Sequence, residues 1–149
     1  GLNAVTRVQF YHNTPDRLAL TCELAANAHA GGRQVAIRVA DFAHARRLDQ
    51  HLWTAVPLSF IPHVLLESPL AAETPIVIGT AESTRPWPHA DLLFNLADDI
   101  PPGFEQFRTV IEIVGQSEAD KLPARTRWQQ YKASQVPLKA FDAESRSAL

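Results

Sequence analysis

The chain has 149 residues, 46% of them hydrophobic, and carries 14 Lys and Arg against 16 Asp and Glu for a net charge of −2. That length supports one domain with a single well-buried core and is too short for two ordinary ones. The charge argues against a duplex-DNA binder working by mass neutralisation of phosphates, and no run reaches the 18 or so apolar residues of a membrane span. In chain order, Val8–His12 (VQFYH) is a short apolar run of strand type. The stretch after it predicts a helix: Thr14 can cap, Pro15 suits the first turn, and Leu18, Cys22 and Ala25 or Ala26 recur at helical spacing. Gly31 and Gly32 stop it. Gln34–Ala40 reads as a second strand, and Asp41 can cap a second helix, FAHARRLDQHLW. Further strands are expected at Pro75–Thr80, Asp91–Ala97 and Thr109–Gly115, with room for one helical turn in DDIPPGFEQFR. A long helix with basic and aromatic residues closes the pattern, starting near Leu122 and ending near VPLKAF. Residues 54–74 are expected to be a long Pro-containing loop.

Near-continuous apolar strands alternating with helices predict an α/β fold: one Rossmann-like domain over residues 1–149, with about five mostly parallel strands and helices on both faces. Residues 1–5 are expected to be a flexible or added start, since Gly1 stands where an initiator Met would, and residues 142–149 a flexible tail. No charged-then-apolar leader precedes the first strand, and the lone Cys22 allows no internal disulfide; both suit a reducing cytoplasm.

Such a sheet invites a nucleotide, yet no nucleotide-binding motif is present. The turn after the first strand reads HNTPDR rather than G-x-G-x-x-G, and no G-x-x-x-x-G-K-[ST] occurs. The six histidines form no H-E-x-x-H; His44 and His51, two turns apart on one helix, read as a solvated pair. Cys22 lies in an apolar stripe and reads as buried and inert. Asp98 and Asp99 follow a strand end, where active-site carboxylates often lie, but Pro101, Pro102 and Gly103 beside them favour an ordinary turn. Neither a catalytic residue, a metal nor a cofactor is expected.

Two surfaces stand out. In the last helix Lys121, Arg125, Trp128 and Lys132 fall at spacings of four, three and four, which puts three cations and an indole on one stripe. Such a stripe suits a short acidic peptide with a terminal carboxylate beside an aromatic ring. Single-stranded nucleic acid asks for the same ingredients, and a solvated helix with Trp128 tucked inward is the plain alternative. The second is Leu48–His63 (LDQHLWTAVPLSFIPH), where Trp53, Pro57, Phe60 and Pro62 crowd a helix end that usually meets water. Leu48 and Leu52, four apart, suit packing beneath that helix.

Those two stretches carry a resemblance. The L-D-x-x-L-W … F-x-P-H pattern, the strands VQFYHN, PIVIGT, DLLFNLA and TVIEIVG, and the ending ARTRWQQYKASQVPLKAF together resemble the chi subunit family of bacterial DNA polymerase III holoenzyme, nearly end to end. The resemblance implies a nucleotide-binding-like fold with neither nucleotide nor catalysis, and a clamp-loader accessory subunit with two partners. One is the psi subunit, or a helicase at the same surface, met by Trp53, Pro57, Phe60 and Pro62. The other is the acidic C-terminal tail of single-stranded-DNA-binding protein, met by Lys121, Arg125, Trp128 and Lys132. Gln129 stands where some members carry lysine, and Gln135 and Val136 where many carry Gly-Tyr. From other classes, a small nucleotide-dependent enzyme and a direct single-strand binder remain the alternatives.

Overall fold

The computed structural model describes residues 5–55 and 60–149. The elements run β1 (Arg7–Thr14), α1 (Arg17–Ala30), β2 (Val35–Val39), α2 (Phe42–Thr54), β3 (His63–Leu65), β4 (Ile76–Thr80), β5 (Leu92–Asn95), β6 (Thr109–Gly115), α3 (Glu118–Ala133), β7 (Leu138–Asp142) and β8 (Ser147–Ala148). They form one open sheet in the order β3-β4-β2-β5-β6-β1-β7-β8. Every pairing is parallel except β7 with β8.

The α/β architecture is as predicted, but the sheet has eight strands rather than five. β3 lies inside the stretch expected as a loop, and β7 lies where the last helix was expected to continue. That helix stops at Ala133: the Ser134 amide donates back to Gln130, and Gln135 turns the chain left-handed at φ 60°. Pro137 follows, and the chain leaves as a strand beside β1. β8 pairs with β7 through Phe141↔Ala148 and Asp142↔Ser147, within the residues expected as a tail.

Helix starts are set by side-chain caps, which satisfy amides that have no partner within the helix. Asp16, not Thr14, caps α1 by accepting from the Ala19 amide at 3.0 Å, while Thr14 is buried at the end of β1. Asp41 caps α2 through the His44 amide at 2.9 Å. Ser117 caps α3, which begins at Glu118 rather than near Leu122, so Pro123 lies inside the helix and gives up one backbone rung. Gly32, at φ 79°, makes the left-handed turn after α1.

The sheet separates two cores. On one face α1 and α2 place Cys22, Ala25, Leu48 and Leu52 against Ile37, Ile78, Phe94 and Ile113. On the other, α3 places Ala124 and Tyr131 against Val8, Phe10, Leu93 and Val110. The long apolar runs β2, β4, β5 and β6 are buried along their whole length, as strands covered on both faces must be.

Candidate protein-interaction surfaces

In a doubly wound sheet ligands lie outside the carboxyl ends of neighbouring strands whose helices leave to opposite faces. Here those strands are β1 and β6, followed by α1 and α3. A cavity of about 620 Å³ opens there, lined among others by Thr14, Arg17, Leu96, Asp98 and Gly115. The chain's own Arg17 reaches into it. Its Nε donates to the Ile113 carbonyl at 3.0 Å and its Nη2 to the Leu96 carbonyl at 2.7 Å, while Nη1 lies 3.8 Å from Asp120. Gly115 lets the Asp120 carboxylate approach the end of β6; a Cβ there would push that side chain aside. No group of His, Cys, Asp and Glu able to hold a metal occurs among the described residues.

The remaining polar candidates have structural employment. His44 pairs with its own cap, Nδ1 to Asp41 Oδ1 at 2.7 Å, while His51 is exposed. Burial pushes the Cys22 thiol up to about 11, so it stays protonated at neutral pH. Asp98 and Asp99 form a pinned turn: the Asp98 carbonyl accepts from Arg127, the Asp99 carbonyl from Arg38 and Asn95, and the Asp99 carboxylate meets Arg38 at 2.9 Å.

The first surface is the flank of α3 that overhangs β1. Lys121, Arg125, Trp128 and Lys132 lie within about 60° of one another on a helix of 3.6 residues per turn. Arg125 and Lys132 are exposed, Lys121 is half-buried, and Arg125 has only a distant partner, Glu118 at 3.9 Å. Trp128 is half-buried. Its indole stands edge-on to Phe10, centroids 5.2 Å apart, and tilts over His12 at 6.1 Å. Burial lowers the His12 pKa, opposed by Asp142 and assisted by Arg127, so a neutral ring supports the indole. The three cations and Trp128 share this flank of α3, with half-buried Leu138 and Ala140 in register with Val8 and Phe10 beside it. Val136 packs against the same core, and Gln129 and Gln135 are exposed.

Beneath this flank is a polar network that sequence reasoning missed. Glu112, fully buried in β6, accepts from Arg127 Nε at 3.0 Å and from the Tyr131 hydroxyl at 2.7 Å, and both its oxygens lie within reach of the Asn95 Nδ2 donor at 3.1 and 3.0 Å. Asn95 in turn accepts from Arg38. Burial pushes the Glu112 carboxyl above its ordinary range against the pull of Arg127, Tyr131 and Asn95. Burial and the neighbouring carboxylate both raise the Tyr131 hydroxyl, which remains a donor. Arg127 thus looks inward and Arg125 outward, with Trp128 between them, half-buried against Phe10. The sequence signal was available: one glutamate inside the apolar run TVIEIVG, and one arginine in helical phase with Ala124 and Tyr131.

The second surface lies at the end of α2 beside the sheet edge β3. Trp53 and Phe60 are 56% and 64% exposed, and their rings meet with centroids 5.3 Å apart. Trp53 also stands edge-on to His63 at 5.1 Å. His63 is buried, with Nδ1 2.7 Å from the Ile61 carbonyl and Nε2 2.9 Å from Asp49. Pro62 is half-buried, and Pro57 lies outside the described residues. Leu48 and Leu52 are core, as their spacing requires. The two aromatics therefore form one apolar patch standing on a packed helix end.

Residues 5–139 match the profile of the family described as DNA polymerase III chi subunit, HolC. A Pseudomonas aeruginosa protein named DNA polymerase III subunit chi is 36% identical over 138 residues, covering 90% of this chain and 94% of its own. Namesakes from Haemophilus influenzae and Escherichia coli are 34% and 30% identical, covering 74% and 77% of this chain and 76% and 78% of their own. Among solved structures, the C-terminal domain of the DEAD-box protein Dbp5 superposes with a TM-score of 0.61 at 12% identity, over 97% of this chain and 93% of that one, a likeness of fold alone.

Proposed function

The chain belongs to the DNA polymerase III chi subunit family, accessory subunits of the replicative polymerase without catalysis of their own, and from that premise we propose that it is a cytoplasmic adaptor of the clamp loader. The α3 flank holds the acidic C-terminal tail of single-stranded-DNA-binding protein. The patch of Trp53, Phe60 and Pro62, with Pro57, holds the psi subunit or a helicase that shares its surface. The observation that carries the tail site is the partly buried Trp128 with three cations on its own flank. A terminal carboxylate takes charge-assisted hydrogen bonds from Arg125 and Lys132, and the side chain that bears it rests on the indole. A nucleotide-dependent enzyme is disfavoured because neither glycine-rich phosphate-binding motif occurs in the sequence, and Arg17 at the start of α1 projects into the crevice, donating to the Ile113 and Leu96 carbonyls.

The test is calorimetric titration with a peptide of that tail. Arg125→Ala is expected to weaken binding by about 1.5–3 kcal/mol, the range for hydrogen bonds to charged groups. Amidating the peptide's terminal carboxylate should do comparable damage. Wild-type affinity in Arg125→Ala would sink the assignment. Separately, Phe60→Ala is expected to abolish co-purification with psi while tail binding persists; loss of both would signal misfolding instead.

A further inference from the structure

The aromatic patch at the end of α2 is one end of a longer ridge. Phe42, Arg46, Gln50 and Trp53 follow one another at spacings of four, four and three, which places them within about 80° on a helix of 3.6 residues per turn. All four are exposed, Phe42 by 43% and Trp53 by 56%. The buried face of α2, made by Ala45, Leu48 and Leu52, lies well round from this ridge. Its cation also stands alone. Arg46 joins none of the ion pairs among the described residues, and Asp49, the one acid on this flank, turns toward His63, with Oδ1 2.9 Å from the ring Nε2. The other basic groups of α2, Arg47, His44 and His51, lie on the opposite flank toward α1.

We propose that the partner bound at Trp53 and Phe60 lies along the whole exposed flank of α2 as an amphipathic helix, with apolar side chains on Phe42 and on the Trp53–Phe60 pair and a carboxylate on Arg46. This rests on the partner-facing role of Trp53 and Phe60. Three features favour that occupant. From Phe42 to Trp53 the ridge covers twelve residues, about 16 Å over eleven rises of 1.5 Å, or three turns of a facing helix. Ridges at four- and three-residue spacing are what a second helix packs into. The neighbouring sheet edge is unsuited to an added strand, because β3 has only three residues. An unpaired arginine between two apolar ends selects an acid near the middle of the incoming helix.

The test is titration of the intact chain with the psi subunit at several salt concentrations, with tail-peptide affinity as the folding control. Phe42→Ala and Arg46→Ala are each expected to weaken psi binding about tenfold or more, and Arg46→Ala to flatten its salt dependence, with tail binding unchanged. Hydrogen exchange in the complex should protect one contiguous psi segment of about three turns. If Phe42→Ala and Arg46→Ala bind within twofold of wild type while Trp53→Ala and Phe60→Ala lose psi, the ridge is overturned and the patch stands. If all four bind as wild type does, or wild type does not bind psi, both are overturned. Should Phe42→Ala lose tail binding as well, Arg46→Gln carries the decision: unchanged psi affinity and salt slope overturn the ridge.

Discussion

Glu112 puts an acid side chain where no solvent reaches it. An acid with no solvent contact is tolerable only when its oxygens are fully engaged, and Arg127, Tyr131 and Asn95 together do this. Arg127→Ala would leave that acid without its counter-charge, and a loss of about 3–5 kcal/mol in urea unfolding is expected. Arg125→Ala, two residues away but exposed, should change stability by less than about 0.5 kcal/mol. The contrast separates the arginine that holds the helix from the one offered to a partner. His12 gives a second prediction at this scale. Burial holds its pKa below the ordinary value of about 6.5, so below that pH the unfolded chain takes up the proton more readily than the folded one. Stability should therefore fall as pH drops from 7 toward 5, with the loss smaller in His12→Gln when thermal midpoints are compared. Within the folded chain, the same proton adds a positive charge beside Trp128. Affinity for an acidic peptide should rise as pH falls in wild type and stay flat in the variant.

The helices show why some boundaries were legible and others were not. Asp41 and Gly32 carry their usual signals and do what those signals imply. The start of α1 was misplaced by two residues because Thr14 and Asp16 are both capping types, and the Tyr11 carbonyl takes the Thr14 hydroxyl at 3.2 Å. Asp16→Ala should cost about 1 kcal/mol in thermal or urea unfolding, and Thr14→Val no cap at all. The end of α3 was hidden because its left-handed residue is Gln135, where a glycine would have announced the stop. Holding a side chain in that conformation costs about 1–2 kcal/mol, partly offset by the extra freedom glycine has when unfolded. Gln135→Gly should thus stabilise the chain by about 0.5–1 kcal/mol, read as a shift in urea midpoint. Strands β2, β4, β5 and β6 could be read as unbroken apolar runs. β7 could not, because it is only half-buried, and β3 and β8 are three and two residues held by backbone pairing that leaves little pattern in side chains. The stripe on α3 was visible as spacing alone. What the spacing could not supply was the inward turn of Arg127, which depends on a partner fifteen residues earlier in β6.

For the molecule as a whole, the decisive feature is where the sheet puts its two surfaces. Trp53 and Phe60 belong to α2 and the edge beyond β3; Trp128 belongs to α3 above β1, on the other face. Five strand spacings separate β3 from β1, about 24 Å at 4.8 Å each. Filling one surface should leave the other untouched, so psi affinity measured with the tail peptide saturating is expected within about twofold of that without it. Mutual exclusion in that titration would contradict the placement. A stiff spacer with independent ends has a consequence for a multi-chain assembly. Once one end is moored, the free end searches a small volume, and even a weak grip there acts at a high effective concentration. Avidity can then come from the span of the sheet rather than from the strength of either contact.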